Sequence, residues 1–296
     1  MKWSLVILLG LLVRAAPAQT AFGDPAFLSR TFIYPANCVT GALDGWSCVR
    51  NIRAEYQGAL IRVRRGSDST EQDIYALAGA LDTATIASFC GTSTGYVTTI
   101  YAQLGTNNIK QATAANQPQI YNGSAIFIAT NGNRRPMIKW DNVNDYMQAV
   151  RNTAWVQPIS AYHVIQQTSW TLGDPLIDGS TTATFFVNDQ RDSSSRIRLY
   201  ANTALQPTTS FTLGVPILLY EVGNNTASVI GFNNQVAETS GTAGAANPEG
   251  ITLGAFSNGT VPADLMWQES IIYGTAHDAA TRQRLRELIN AFYHLF

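Results

Sequence analysis

Short runs rich in β-branched and aromatic residues recur along the chain, separated by Gly, Asn, Asp and Pro clusters. The pattern predicts strands near Leu60–Arg64, Tyr96–Tyr101, Ala125–Ala129, Met137–Trp140, Tyr146–Val150, Ser160–Thr168, Ala183–Val187, Arg196–Tyr200, Ile217–Val222, Ser228–Phe232, Gly250–Phe256 and Met266–Tyr273. Many short strands with frequent turn signals and no βαβ rhythm predict an all-β sandwich or barrel. Two stretches switch to a helical period. The first is Thr83–Cys90, with Asp82 placed to cap its start and Gly91 to stop it. The second runs from Ala279 to His294, with Asp278 as its cap and Leu285, Leu288, Ile289, Phe292 and Phe296 forming an apolar stripe expected on the sandwich edge.

The N-terminus follows a different pattern. Met1 and Lys2 precede the apolar run Trp3–Val13, which ends in Ala16-Pro17-Ala18, the small-x-small signature of signal-peptide cleavage. Residues 1–18 are therefore expected to be a signal peptide, and residues 19–296 a single secreted or cell-surface β-sandwich domain with no membrane span after leader removal. The richest small-residue stretch, Glu238–Gly250, reads as a surface loop rather than a linker.

Charged residues make up 13% of the chain and hydrophobic residues 46%, at a net charge of −1. Lys2, Lys110 and Lys139 are its lysines, so there is no electrostatic footprint for nucleic acid. The basic group Arg62, Arg64, Arg65 lies in a strand, and alternation puts Arg62 and Arg64 on one solvated or ion-paired face. Disulfides persist outside the cytoplasm, and Cys38 and Cys48 are the natural pair. Cys90 is left over and reads as a small buried hydrophobe.

Candidate chemistry is sparse. Gly91-Thr92-Ser93-Thr94-Gly95 matches a nucleophile-elbow string, but a helix precedes it and a strand follows, the reverse of what the elbow needs. His163, His277 and His294 show no metal-ligand spacing. Trp140–Tyr146 is an Asp/Asn-rich turn whose Asp141 and Asp145 either cap backbone N–H groups or form a ligand loop for a sugar or calcium. No cofactor is otherwise expected. Glycoside hydrolysis generally needs two carboxyl groups, and Glu221 and Glu269 lie in apolar strands where burial would raise an acid's pKa, unless an Arg pairs with them. Asn122, Asn224 and Asn258 begin sequons.

Cys38-x9-Cys48, Arg65-Gly66-Ser67-Asp68, Tyr96–Tyr101 followed by Gln103-Leu104-Gly105, Gln111-Ala112, Asn131-Gly132, Leu253-Gly254 and Trp267-Gln268-Glu269 together resemble the catalytic domain of the alpha-L-arabinofuranosidase B family. The resemblance implies a concanavalin A-like (laminin G-like) antiparallel β-sandwich. It also implies an acid catalyst a few residues after Leu253-Gly254, where this chain has Asn258, and a nucleophile near Asn202. Cys90 resembles half of a family disulfide whose partner position is Gly95, and the family's adjacent cysteine pair has no counterpart. An amide neither lends a proton nor attacks as a carboxylate does. The expected function is a non-catalytic glycan-binding or adhesion module for extracellular polysaccharide or cell-surface glycan. The alternatives are a glycoside hydrolase acting on alpha-L-arabinofuranosides and a structural coat or surface component.

Overall fold

Strand pairing organises the chain into two antiparallel rows. The computed structural model describes residues 34–130, 134–181, 185–190, 194–233 and 238–296. The expected leader, Asn131-Gly132 and the start of the Ala183–Val187 segment lie outside the described residues. Ile33–Phe296 clusters as one compact unit.

The first row runs Ser228–Phe232, Ile217–Gly223, Ile159–Gln166, Met266–Tyr273, Ala42–Ser47, Ala102–Leu104. The second runs Glu71–Leu77, Ala59–Arg65, Thr94–Ile100, Ile109–Lys110, Met147–Val150, Gly250–Leu253, Pro175–Asp178, Phe185–Gln190, Ile197–Ala201. Gln119–Asn122 and Ile138–Lys139 connect Thr94–Ile100 to Met266–Tyr273, so the rows join into one continuous sheet. The predicted all-β antiparallel class is therefore what the chain forms.

Ile159–Gln166, Ile217–Gly223 and Met266–Tyr273 are buried along their whole length. A strand alternates its side chains between faces, so complete burial requires cover on both. On one face Ile272 lines a small interior cavity together with Ile177, Phe186 and Ile251. The other is covered by the helix Ala279–Tyr293, from which Tyr293 Oη donates to Glu269 Oε2 at 2.8 Å and Arg286 Nη1 to Tyr220 Oη at 2.7 Å. The stripe therefore lies across the outer face of the central strands and not on the sandwich edge, where the sequence pattern predicts it. Leu285, Ile289 and Tyr293 are buried, Leu288 and Phe292 are packed at its side, and Phe296 is exposed. Both helix starts are capped as the sequence predicts, with Asp82 accepting from the Thr85 N–H and Asp278 from that of Thr281.

Ala125–Ala129 departs from expectation, making isolated bridges through Ile126 and Ile128 instead of a strand. Asn122 Oδ1 takes the N–H groups of Ser124 and Ala125 into a turn, and Pro136, opposite Ile128, has no N–H to give. The expected Cys38–Cys48 bridge is also not formed, since all three cysteines are free thiols. Cys48 Sγ lies 3.5 Å from the Trp267 carbonyl, and burial pushes its thiol well above the ordinary range, suppressing the thiolate that disulfide exchange requires. Cys90 is buried, as its residue type predicts.

Candidate ligand cleft

Pairing register builds an open cleft with a volume of about 630 Å³. Arg64 is the register partner of Tyr96, and Tyr96 of Gln119, so three strands set these residues side by side on one face. The Arg64 guanidinium lies 4.6 Å from the Tyr96 ring centroid. Its Nε donates to Gln117 Oε1 at 2.6 Å and its Nη2 to the Ala114 carbonyl at 3.3 Å. Gln117 in turn donates to the Gln111 carbonyl and Gln111 Nε2 to that of Tyr146, while the Tyr146 N–H donates to Asn116. This chain of amides ties the wall carrying Arg64 to the wall carrying the Asp141–Asp145 turn.

Asp141, Asn144 and Asp145 line that second wall. Asp141 Oδ1 accepts from the N–H groups of Val143, Asn144 and Asp145, and Asp145 Oδ2 accepts from the Asp141 N–H at 3.0 Å. The two side chains therefore cap the turn and line the cleft at once. Asp145 is only 4% exposed, and burial, then the neighbouring Asp141 charge, push its carboxyl up to about 7. Ser93 also lines the cleft, and its Oγ accepts from the Ser67 N–H.

The glutamates singled out from sequence lie elsewhere. Alternation turns Glu221 and Glu269 to opposite faces of the first row. Glu269 faces the C-terminal helix, where Arg50 binds it through Nε at 2.8 Å and Nη2 at 2.7 Å and Tyr293 adds a third bond. Glu221 faces the sandwich interior, receives Asn188 Nδ2 at 2.5 Å and lies 3.7 Å from His163 Nε2. The cavity it lines with Asp178 and Trp155 has a volume of about 20 Å³, room for one water and not for a sugar. The remaining histidines are structural neighbours of the helix: His277 Nδ1 lies 2.9 Å from Tyr162 Oη, and His294 ends the helix in a left-handed conformation.

Asn202 and Asn258 occupy exposed turns. Asn202 has φ of 77° between Ile197–Ala201 and Ala204–Leu205, and Asn258 Oδ1 accepts from the Thr260 N–H and Oγ1. The motif residues nearby have packing roles. A Cβ on Gly254 would lie 2.2 Å from the Trp140 ring, and one on Gly105 would lie 1.9 Å from Asp44 Oδ1. Gln103 accepts from the Ile52 N–H and donates to the Arg50 carbonyl. Sequence reasoning missed Tyr96, Gln117, Gln119 and Asn144 as a group because the register that aligns them links segments far apart in the chain.

Residues 33–171 match the family model described as "Alpha-L-arabinofuranosidase B, catalytic". Over 64 residues the chain is 44% identical to a probable alpha-L-arabinofuranosidase B of Aspergillus flavus and 42% identical to an alpha-L-arabinofuranosidase B of Aspergillus oryzae. That span is 21% of this chain and 13% of each relative. A GH54 α-L-arabinofuranosidase soaked with a cyclic sulfate inhibitor superposes with a TM-score of 0.66 at 16% identity, covering 85% of this chain and 63% of that one. An arabinofuranosidase complexed with arabinofuranosyl-alpha-1,2-xylobiose gives 0.64 at 16% identity over the same shares. Those neighbours share the fold. Over residues 33–171 the chain is thus similar in sequence to the alpha-L-arabinofuranosidase B catalytic-domain family.

Proposed function

We propose that this domain is a secreted or cell-surface glycan-recognition module on a concanavalin A-like sandwich. Extracellular polysaccharide is seated in the cleft of Arg64, Tyr96, Gln117, Gln119, Asn144 and Asp145. The observation that carries this reading is the lining itself: a ring backed by a fixed guanidinium, surrounded by amides and carboxyls, is the chemistry that bonds sugar hydroxyls and stacks on sugar faces. The amides at Asn202 and Asn258, and the enclosure of Glu221 and Glu269, support binding without hydrolysis. A glycan array with wild type and Arg64→Ala tests it. Saturable binding lost in the variant is expected, and absence of binding by the wild type defeats the reading and leaves a structural surface component.

The family match favours a second reading, hydrolysis of alpha-L-arabinofuranosides. Release of arabinose from an arabinofuranoside by the wild-type domain would establish it in place of the first. Activity gained only in Asn258→Asp would instead place the lost acid at that turn.

A further inference from the structure

We infer that the cleft binds its glycan together with a proton held on the Asp141–Asp145 turn, so that recognition is strongest on the acid side of neutrality. This rests on the glycan reading of the cleft. Asp145 lines the cavity yet is almost wholly buried, and its Oδ2 already accepts from the Asp141 N–H. The charged and titratable groups lining the cavity with it are Asp141 from its own turn, Arg64 from Ala59–Arg65 and Tyr96 from Thr94–Ile100. Arg64 is directed to Gln117, to the Ala114 carbonyl and to the face of Tyr96.

Burial and the Asp141 charge therefore act on Asp145 together, and its carboxyl is pushed up to about 7. Asp145 keeps 4% exposure, and through it bulk water still reaches the carboxyl. A sugar seated over Tyr96 displaces that water and removes part of what solvation the Asp145 carboxylate retains, which favours the neutral form further. A ligand that raises the proton affinity of its site binds with uptake of a proton, and the proton in turn strengthens the ligand. The amide chain from Gln117 through Gln111 to Tyr146 holds the two walls at a fixed spacing, so the proton acts on a preformed site.

The test is calorimetric titration of arabinofuranosyl-alpha-1,2-xylobiose at acid, neutral and alkaline pH, in buffers of contrasting ionisation heat, with wild type and Asp145→Asn. The amide is close to isosteric and can still accept from the Asp141 N–H. Wild-type affinity should fall by up to about tenfold per pH unit above neutrality, with buffer-dependent heats that report proton uptake. In Asp145→Asn the affinity, whatever its strength, should not change with pH. Wild-type binding that is independent of pH and buffer overturns the inference and spares the glycan reading; no binding of this trisaccharide at any pH overturns the inference, and the glycan array then decides the reading it rests on. Carboxyl carbon NMR of the free protein gives a check without ligand, because an Asp145 that titrates with the ordinary aspartates also overturns the inference.

Discussion

Two buried carboxylates, Glu269 beneath the C-terminal helix and Asp145 in the cleft wall, meet opposite electrostatic settings. Glu269 is neutralised by a bidentate Arg50, whose guanidinium also lies 4.4 Å from the Phe292 ring centroid. Asp145 has a backbone N–H and a second carboxylate for company. The first arrangement consumes its charge in holding the helix to the sheet. The second leaves a carboxyl that burial and the Asp141 charge push up to about 7, beside an open cavity. Burial alone does not mark a carboxylate as functional; what faces it decides.

Breaking the first member of this comparison should have the largest effect. Arg50→Ala leaves Glu269 buried without its cation and should cost about 3–5 kcal/mol in denaturant unfolding. A loss below about 1 kcal/mol would mean that the pair is not the anchor of the helix.

The next effect concerns Asp145 and depends on pH. Its folded carboxyl, pushed up to about 7, holds a proton that an unfolded aspartate releases near 4. The fold therefore binds more protons between these values, and the stability this contributes is full below about pH 4 and lost as pH rises through about 7. Asp145→Asn should remove that slope and gain about 2 kcal/mol on wild type between pH 4 and pH 8, allowing for solvent screening at the cleft mouth. Parallel stability profiles for the two proteins would contradict the assignment.

A similar gain should come from a site outside the comparison, sharpening it by separating packing from charge. A Cβ built on Gly95 lies 2.8 Å from Cys90 Sγ, close to the cross-bridge distance in a disulfide. Gly95→Cys should form that bridge and add about 2 kcal/mol, the chain-entropy value for so short a loop, with two free thiols disappearing on mass analysis. Smallest of all, Asn258→Asp should change stability by less than about 0.5 kcal/mol, because the side chain is exposed and a carboxylate can accept from Thr260 as the amide does.

Much of the fold was legible because its signals are local. Asp82 and Asp278 announce their helices, and Ser228–Phe232 and Met266–Tyr273 begin and end where their composition indicates. Ala42–Ser47 escaped notice because Ala-Leu-Asp-Gly-Trp-Ser lacks β-branched residues. It is held as a strand by Met266–Tyr273 on one side and Ala102–Leu104 on the other. The Asp141 turn was legible both as turn chemistry and as a possible ligand loop, and the side chains perform the first while lining a cleft. Its opposite wall was hidden, because Arg64, Tyr96 and Gln119 meet only through register. The family motifs were visible and point to packing: a Cβ on Gly105 or Gly254 would collide with Asp44 or Trp140.

The central claim is that ligand is met at the register-built cleft and not at the Asn202 and Asn258 turns, where the sequence resemblance implies the catalytic positions. Backbone amide shift mapping during titration with arabinofuranosyl-alpha-1,2-xylobiose tests it most directly. The account predicts saturating shifts at Gly66, Ser93, Tyr96 and Asp141–Asp145, with the Asn202 and Asn258 turns unmoved; shifts centred on Asn202 and Asn258 with a silent cleft would contradict it.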